Sequence, residues 1–419
     1  MQLATNQSSR ELLRSRYAAQ IERLIAWCDI NSGSDNLEGL NRMCEEITSL
    51  FSPLADKTQE ISPEAVREVD EQGNNIEIKV GNMLYFRKRP ELKKRVLLVG
   101  HMDTVFAIDS SFQKCQWLDK NTLNGPGVAD MKGGLLVIYE ALRLFEESAV
   151  APTVGWDLLI TGDEETSSRG SAKFIHQAAQ EADIGLVYEP AMADGTLSGQ
   201  RKGTGNFALV IRGRSAHAGR EFELGRNAIA MAANLMTKLH QLNAENPDIT
   251  INLGRINAGD ALNKVPDLAI VRFNARIKTP EDQDWLQKRF AEIVAEANSA
   301  DGYSASLEGS FTRPPKVVDT EQKRLNDLLV NTGKELDIAI QFVATGGCCD
   351  GNNLKAAGLS NIDTMGVRGG NIHSDQEFLL VDSLAERAEL SLKMLESWAV
   401  AKPFRISADS SADKGENQC

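Results

Sequence analysis

Five short stretches of this 419-residue chain carry the residue types that hold metal ions. The chain has only five histidines. One of them, His101, directly follows the apolar run Val96-Leu97-Leu98-Val99-Gly100, with Asp103 two residues on. A metal-bound imidazole usually donates its second N–H to a carboxylate, and Asp103 is the nearest candidate. Asp130 sits inside Gly125-Pro126-Gly127-Val128-Ala129-Asp130-Met131-Lys132-Gly133-Gly134, a run whose glycines permit tight turns and close backbone approach. An apolar stretch follows it, so Asp130 is expected at the mouth of a helix, where backbone N–H groups favour an anion. Asp163-Glu164-Glu165 follow a second apolar run, Glu189 ends a third just before Pro190, and His373-Ser374-Asp375 come after the glycine-rich 366–370. Singly, each stretch reads as a turn or a cap. Together, two imidazoles and three carboxylates make a set able to hold two zinc-like ions.

The elements that must bring these stretches together are legible in outline. Residues 96–99, 156–161 and 184–188 are short continuous apolar runs, as expected of strands buried on both faces of a central sheet. Ligands gather at the carboxyl ends of such strands. Helices are expected over 11–28, 40–50, 135–145 and 381–400, a hairpin around 76–86, and further core strands at 340–343 and 361–366. From Gly203 the pattern changes, because 207–212 and 268–277 alternate apolar with polar residues as in a half-exposed sheet. Helices are expected over 226–242 and 281–298. We therefore read an α/β three-layer catalytic domain from residues 1–202 and 313–419, with an inserted α+β domain over 203–312. The polar 401–419 reads as a frayed tail.

Composition narrows the partners. A formal net charge of −13 argues against nucleic acid, which needs a basic stripe. No apolar stretch approaches the ~20 residues that span a bilayer, and the first residues show neither the basic start nor the apolar core of a signal peptide. The six cysteines lack Cys-x-x-Cys spacing and read as reduced thiols. A cytoplasmic enzyme of small molecules or short peptides is expected.

The combination of His101-Met102-Asp103, Gly127 through Gly134, Asp163-Glu164-Glu165, Ser215-Ala216-His217-Ala218-Gly219 and His373-Ser374-Asp375 resembles the dinuclear zinc exopeptidases that include glutamate carboxypeptidases, aminoacylases and succinyl-diaminopimelate desuccinylases. The resemblance runs in register over about 97–378 and is closest to the glutamate carboxypeptidase branch. It implies a mixed-sheet catalytic domain with an inserted lid and dimerisation domain, a homodimer, and two zinc ions, or cobalt or manganese in their place. It makes Asp130 the bridging carboxylate, with His101 and Glu189 completing one ion and Glu165 and His373 the other. It also implies a cis peptide bond between Asp130 and Met131. Glu164 becomes the general base acting on a metal-bound water, and His217 a donor to the developing alkoxide, brought from the partner subunit.

The same resemblance gives a substrate end. Asn263 and Arg276 match the carboxypeptidase pattern, and alternation along 268–277 puts Arg272, Asn274 and Arg276 on one strand face. A guanidinium on a rigid strand suits a bidentate grip on a carboxylate. The loop carrying Gly347 resembles a substrate-lining glycine turn, although Cys348-Cys349 departs from the small or polar residues expected there. Arg368, shortly before His373, is read as a selector for an acidic side chain. The expected reaction is hydrolysis of an amide bond next to a free C-terminal carboxylate. An aminopeptidase or di/tripeptidase on the same scaffold is the alternative, a branch that tends to carry Asp where this chain has Glu189. A non-catalytic metal-binding protein would not need Glu164.

Overall fold

A computed structural model describes residues 9–404. Its centre is a six-stranded sheet in the order Lys57–Ile61, Met83–Lys88, Gly155–Thr161, Arg95–His101, Ile184–Val187, Asn361–Ile362. Arg95–His101 runs parallel to Gly155–Thr161 and Ile184–Val187, while Met83–Lys88 is antiparallel. Every residue of Arg95–His101 is buried, because its alternate side chains enter different cores. Val96 and Leu98 join the helices Leu37–Phe51, Gly133–Phe145 and Ser383–Val400 on one face. Leu97 and Val99 pack with Ile175, Ala178 and Leu354 on the other. Helices on both faces make the three layers, and side-chain period two explains why such a strand reads as continuously apolar.

The inserted module is a four-stranded antiparallel sheet in the order Thr250–Ala258, Leu268–Ile277, Gly203–Arg212, Ser304–Arg313. The helices Ala228–Glu245 and Pro280–Ser299 cover one face, over Phe207, Leu209, Ile211, Val271, Phe273, Ala275 and Ile277. A capping box between Thr279 and Asp282, with Pro280 in the first turn, starts the second helix. The other face is polar over Thr204, Asn206, Arg272, Asn274 and Arg276, part of it lining the cavity over the catalytic layers, and apolar at its far end, where Ala208, Val210 and Ile270 pack with Val69 and Leu268.

Three expectations need correction. The hairpin is Val66–Val69 with Asn75–Ile78, whereas Met83–Lys88 belongs to the central sheet, since Met83, Leu84, Tyr85 and Phe86 are all buried. The core strand expected at 340–343 is Phe342–Thr345, half-exposed and paired only with Leu197–Arg201 in a separate ribbon. The first helix breaks at Arg16 into Ser9–Ser15 and Tyr17–Cys28. The tail expected at 401–419 falls largely outside the described residues. No helix among the described residues is long and apolar enough to cross a membrane.

Candidate metal centre and active site

The carboxyl ends of the central strands converge as the sequence implies. His101 is the last residue of its strand, and Glu164 and Glu165 form a turn just beyond Gly155–Thr161. Glu189 lies two residues past Ile184–Val187. Asp130 enters from the loop before Gly133–Phe145, where Gly127 adopts φ 72°, a left-handed conformation that favours glycine. The peptide bond between Asp130 and Met131 is cis, as expected.

Asp130 stands between the two imidazoles. Its Oδ1 is 3.0 Å from His101 Nε2 and its Oδ2 is 3.4 Å from His373 Nε2. Glu189 Oε1 lies 3.9 Å from His101 Nε2, and Glu165 Oε2 lies 3.2 Å from His373 Nε2. Ligand atoms around a tetrahedral ion with bonds near 2.1 Å are separated by about 3.4 Å, so both clusters have the spacing of a coordination shell. Glu189 Oε1 is buried without a hydrogen-bond partner, an arrangement that a cation would satisfy. Groupings of His101 with Asp130 and Glu165, and of His101 with Glu164 and Glu189, also bring ligand atoms within 4.8 Å of one another. We favour Glu189 over Glu164 as the ligand, because Glu164 Oε1 already has Arg313 Nη2 at 2.7 Å, although that contact lacks hydrogen-bond alignment.

The electrostatics point the same way. Burial, with Asp130's charge nearby, pushes the Glu189 carboxyl up to about 8 and raises Glu165. Burial also raises Glu164 well above the carboxylate range, against the opposing pull of Arg313. Burial would raise Asp130 too, but hydrogen bonds from His101 and His373 outweigh it and hold its pKa low. Hydrogen bonds to Asp130 and Glu165 push His373 up to about 11. So many buried carboxylates around two imidazoles form a donor set suited to divalent cations.

Asp103 faces the second nitrogen of His101, as expected, and also has other partners. His101 Nδ1 is 2.9 Å from the Asp103 backbone carbonyl and 3.4 Å from its carboxylate. The carboxylate also accepts from Glu164 N, Glu165 N and Ser34 Oγ. Asp103 is therefore a positioning residue that ties the end of one strand to the carboxylate turn after the next.

A cavity of about 610 Å³ joins this cluster to the polar face of the inserted sheet, and Arg276, Thr204, Asn206, Gly347 and Cys348 line its far wall. Arg276 Nε donates to Asn274 Oδ1 at 2.8 Å, and Nη1 lies 3.2 Å from Cys348 Sγ. Gly347 offers its carbonyl to Arg201. Arg368 is not among the residues lining the cavity: it pairs with Asp382 and Glu386 at the start of the last helix, which speaks against the selector role. His217 and Asn263 are also away from the cavity. They lie on exposed neighbouring loops, where Ala218 N donates to the Asn263 carbonyl and Gly219 N donates to His217 Nδ1. The latter bond leaves the proton on Nε2, free to donate outward.

Four charged residues escaped the sequence reading. Glu377, buried, accepts from the backbone N–H groups of Gly127, Ala129 and Asp130 and so fastens the Asp130 loop to the His373 loop. Its spacing of four from His373 was the only available signal. Arg313 donates to the Glu164 carbonyl and to Ser168 Oγ. Arg201 makes a two-point contact with buried Asp363. Both arginines are contributed by segments flanking the insert, far in sequence from the groups they hold.

Known proteins agree with this architecture. The chain is 28% identical to carboxypeptidase G2 of Pseudomonas sp. over 314 residues, covering 74% of this chain and 75% of the relative. It is 27% identical to a succinyl-diaminopimelate desuccinylase of Psychrobacter sp. over 350 residues, covering 78% and 84%. A tripeptidase crystal structure from Staphylococcus aureus superposes with a TM-score of 0.71 at 22% identity, covering 91% of this chain and 98% of the other, a likeness of fold. The sequence pattern of peptidase family M20/M25/M40 matches residues 97–397, a span that contains every ligand candidate named above. With paired imidazoles and carboxylates at its strand ends and a lid inserted between them, the chain belongs to the M20 family of metal-dependent peptidases and amidohydrolases.

Proposed function

We propose that this protein cleaves an amide bond next to a free carboxylate, releasing an amino acid from an N-acyl amino acid or a short peptide. The observation that carries this reading is a single cavity holding Asp130 with an imidazole on each oxygen, Glu164 beside it, and Arg276 on the facing sheet. Two zinc ions, or cobalt or manganese, held by His101, Asp130 and Glu189 and by Asp130, Glu165 and His373, would polarise the scissile carbonyl as Lewis acids. Glu164 takes a proton from the attacking water as the water oxygen bonds to the carbonyl carbon. When the C–N bond breaks, Glu164 delivers that proton to the departing nitrogen. Arg313, fixed by the Glu164 carbonyl and Ser168, keeps the Glu164 carboxylate in place. Arg276, braced by Asn274, grips the substrate carboxylate.

The developing oxyanion needs a donor facing it across the cavity. We infer that His217 of the partner subunit supplies it, with Asn263 beside it. Exposed Phe222, Leu224 and Leu262 lie on the same loops, and Phe222, Ile229 and Leu262 line a cleft of about 470 Å³ there. Apolar surface around an otherwise unused histidine suits a homodimer contact. The test is hydrolysis by metal-loaded protein of an N-acyl amino acid, its C-terminal amide and a dipeptide with a free amine. The reading expects the first to be cleaved about a hundredfold faster in kcat/KM than its C-terminal amide, which lacks the charge that Arg276 grips. Preference for the free-amine dipeptide would replace it with an aminopeptidase reading.

A further inference from the structure

Beyond the active-site cavity, the polar face of the inserted sheet continues in three cross-strand rows. The first row is Arg313, Thr204 and Arg276, which reaches Glu164 at one end. The second is Ser310, Asn206, Asn274 and Asn252. The third is Glu308, Ala208, Arg272 and Arg255. On the two central strands successive rows are two residues apart, about 6.7 Å, whereas register shifts make Arg313 to Ser310 and Asn252 to Arg255 three residues on the edge strands; neighbours within a row are about 5 Å apart.

The second and third rows form one wall of a separate cavity of about 390 Å³, roofed by Arg67, Glu68 and Val69 of the Val66–Val69 hairpin. Asn206 and Asn274 line both cavities, so the two are neighbours across a single row of amides. The charges of the second cavity are largely spent. Arg272 donates to the carbonyls of Val69 and Asp70, Arg255 pairs with Glu71, and Arg169 pairs with Glu68. Arg67 in the roof and Glu308 in the third row have no side-chain partner among the described residues and carry opposite charges. Within the second row what remains unengaged is neutral: Asn206 offers only its Oδ1, to Asn274, and Asn252 makes no side-chain hydrogen bond among the described residues. An asparagine amide with a free donor and acceptor matches another amide better than it matches a carboxylate or an alkyl chain.

We propose that the Asn206–Asn274–Asn252 row and the cavity under the hairpin form a second subsite, which takes an uncharged, amide-bearing side chain on the amino acid being released. This deepens the functional reading above and rests on its placement of the substrate carboxylate at Arg276. Asn274 braces Arg276 directly, so a side chain leaving that point meets the amide row after one strand repeat, about 7 Å. The side chain of glutamine has roughly that reach, whereas alanine stops short of the row. Norleucine has the length without the hydrogen bonds, and glutamate brings a charge that the neutral row does not match.

The experiment compares kcat/KM of the metal-loaded enzyme for one acyl group on Ala, norleucine, Gln and Glu. Two added neutral hydrogen bonds predict Gln over norleucine by about tenfold, and Gln over Glu as well. In Asn252→Ala, checked for an unchanged melting temperature, the Gln to norleucine ratio should fall severalfold toward one. Hydrolysis with no Gln preference, or with Glu preferred, overturns the subsite and leaves the functional reading standing. An undiminished ratio in Asn252→Ala also overturns it. Absence of hydrolysis across the whole series overturns both.

Discussion

Asp363 is the acid that Arg201 and Lys316 share in a buried charge cluster, and its removal has a calculable cost. Arg201 grips both carboxylate oxygens at 2.8 and 3.1 Å, and Lys316 Nζ is 2.8 Å from Oδ2. Asp363 is fully buried and Lys316 nearly so. Burial alone would raise the carboxyl, but the two cations overcome it and pull its pKa down to about 2. Against an ordinary value near 3.9, that is about two units, or roughly 2.5 kcal/mol in favour of the ionised form. Asp363→Asn also leaves two buried cations without a counter-charge, a change that typically costs 3–5 kcal/mol. The two routes bracket an expected loss of roughly 2.5–5 kcal/mol at pH 7. Because the folded pKa is depressed, the contribution is complete above about pH 4 and is lost as the pH falls toward 2. About half is therefore gone at pH 3, and the gap between variant and wild type should narrow there by about 1 kcal/mol. Urea unfolding at pH 7 and pH 3, followed through the buried tryptophans Trp27, Trp156 and Trp398 of the catalytic layers, measures both values. A loss below about 1 kcal/mol at pH 7, or a gap that does not narrow in acid, refutes the reasoning.

Three further outcomes are expected. Glu377→Ala strips the acceptor from three backbone N–H groups of the Asp130 loop, so divalent-ion affinity should fall about 10–100-fold by titration calorimetry. Arg368→Ala should leave kcat/KM for acidic and neutral C-terminal residues changed alike, since its guanidinium is spent on Asp382 and Glu386; a selective loss on acidic substrates would restore the selector role. Mixing inactive Glu164→Ala and His217→Ala proteins under subunit exchange should restore activity, to about half the wild-type rate per heterodimer. A monomer by gel filtration, or exchange without recovery, would remove the trans donor.

The candidate ligand residues were legible because apolar strands and the polar residues at their ends are local features. The resemblance then placed each of them on Asp130's two sides. Alternation along Leu268–Ile277 likewise separated Arg276 and Asn274 from Phe273 and Ile277. What the sequence hid was long-range. Glu377, Arg313 and Asp363 act through partners far away in the chain, and nothing local marks a buried carboxylate as a clamp. Arg368 misled because proximity in sequence to His373 does not fix where a side chain points. The Phe342–Thr345 strand misled because a short apolar run on an edge reads like one in the core.

The central claim is that Asp130 bridges two ions while Glu164 holds neither. The count of divalent ions per chain, by elemental analysis after equilibration and removal of free metal, tests it most directly. Two equivalents are expected in the wild type and two in a Glu164→Gln variant that no longer turns over substrate. A single equivalent in the wild type, or loss of an ion along with activity in Glu164→Gln, would contradict it.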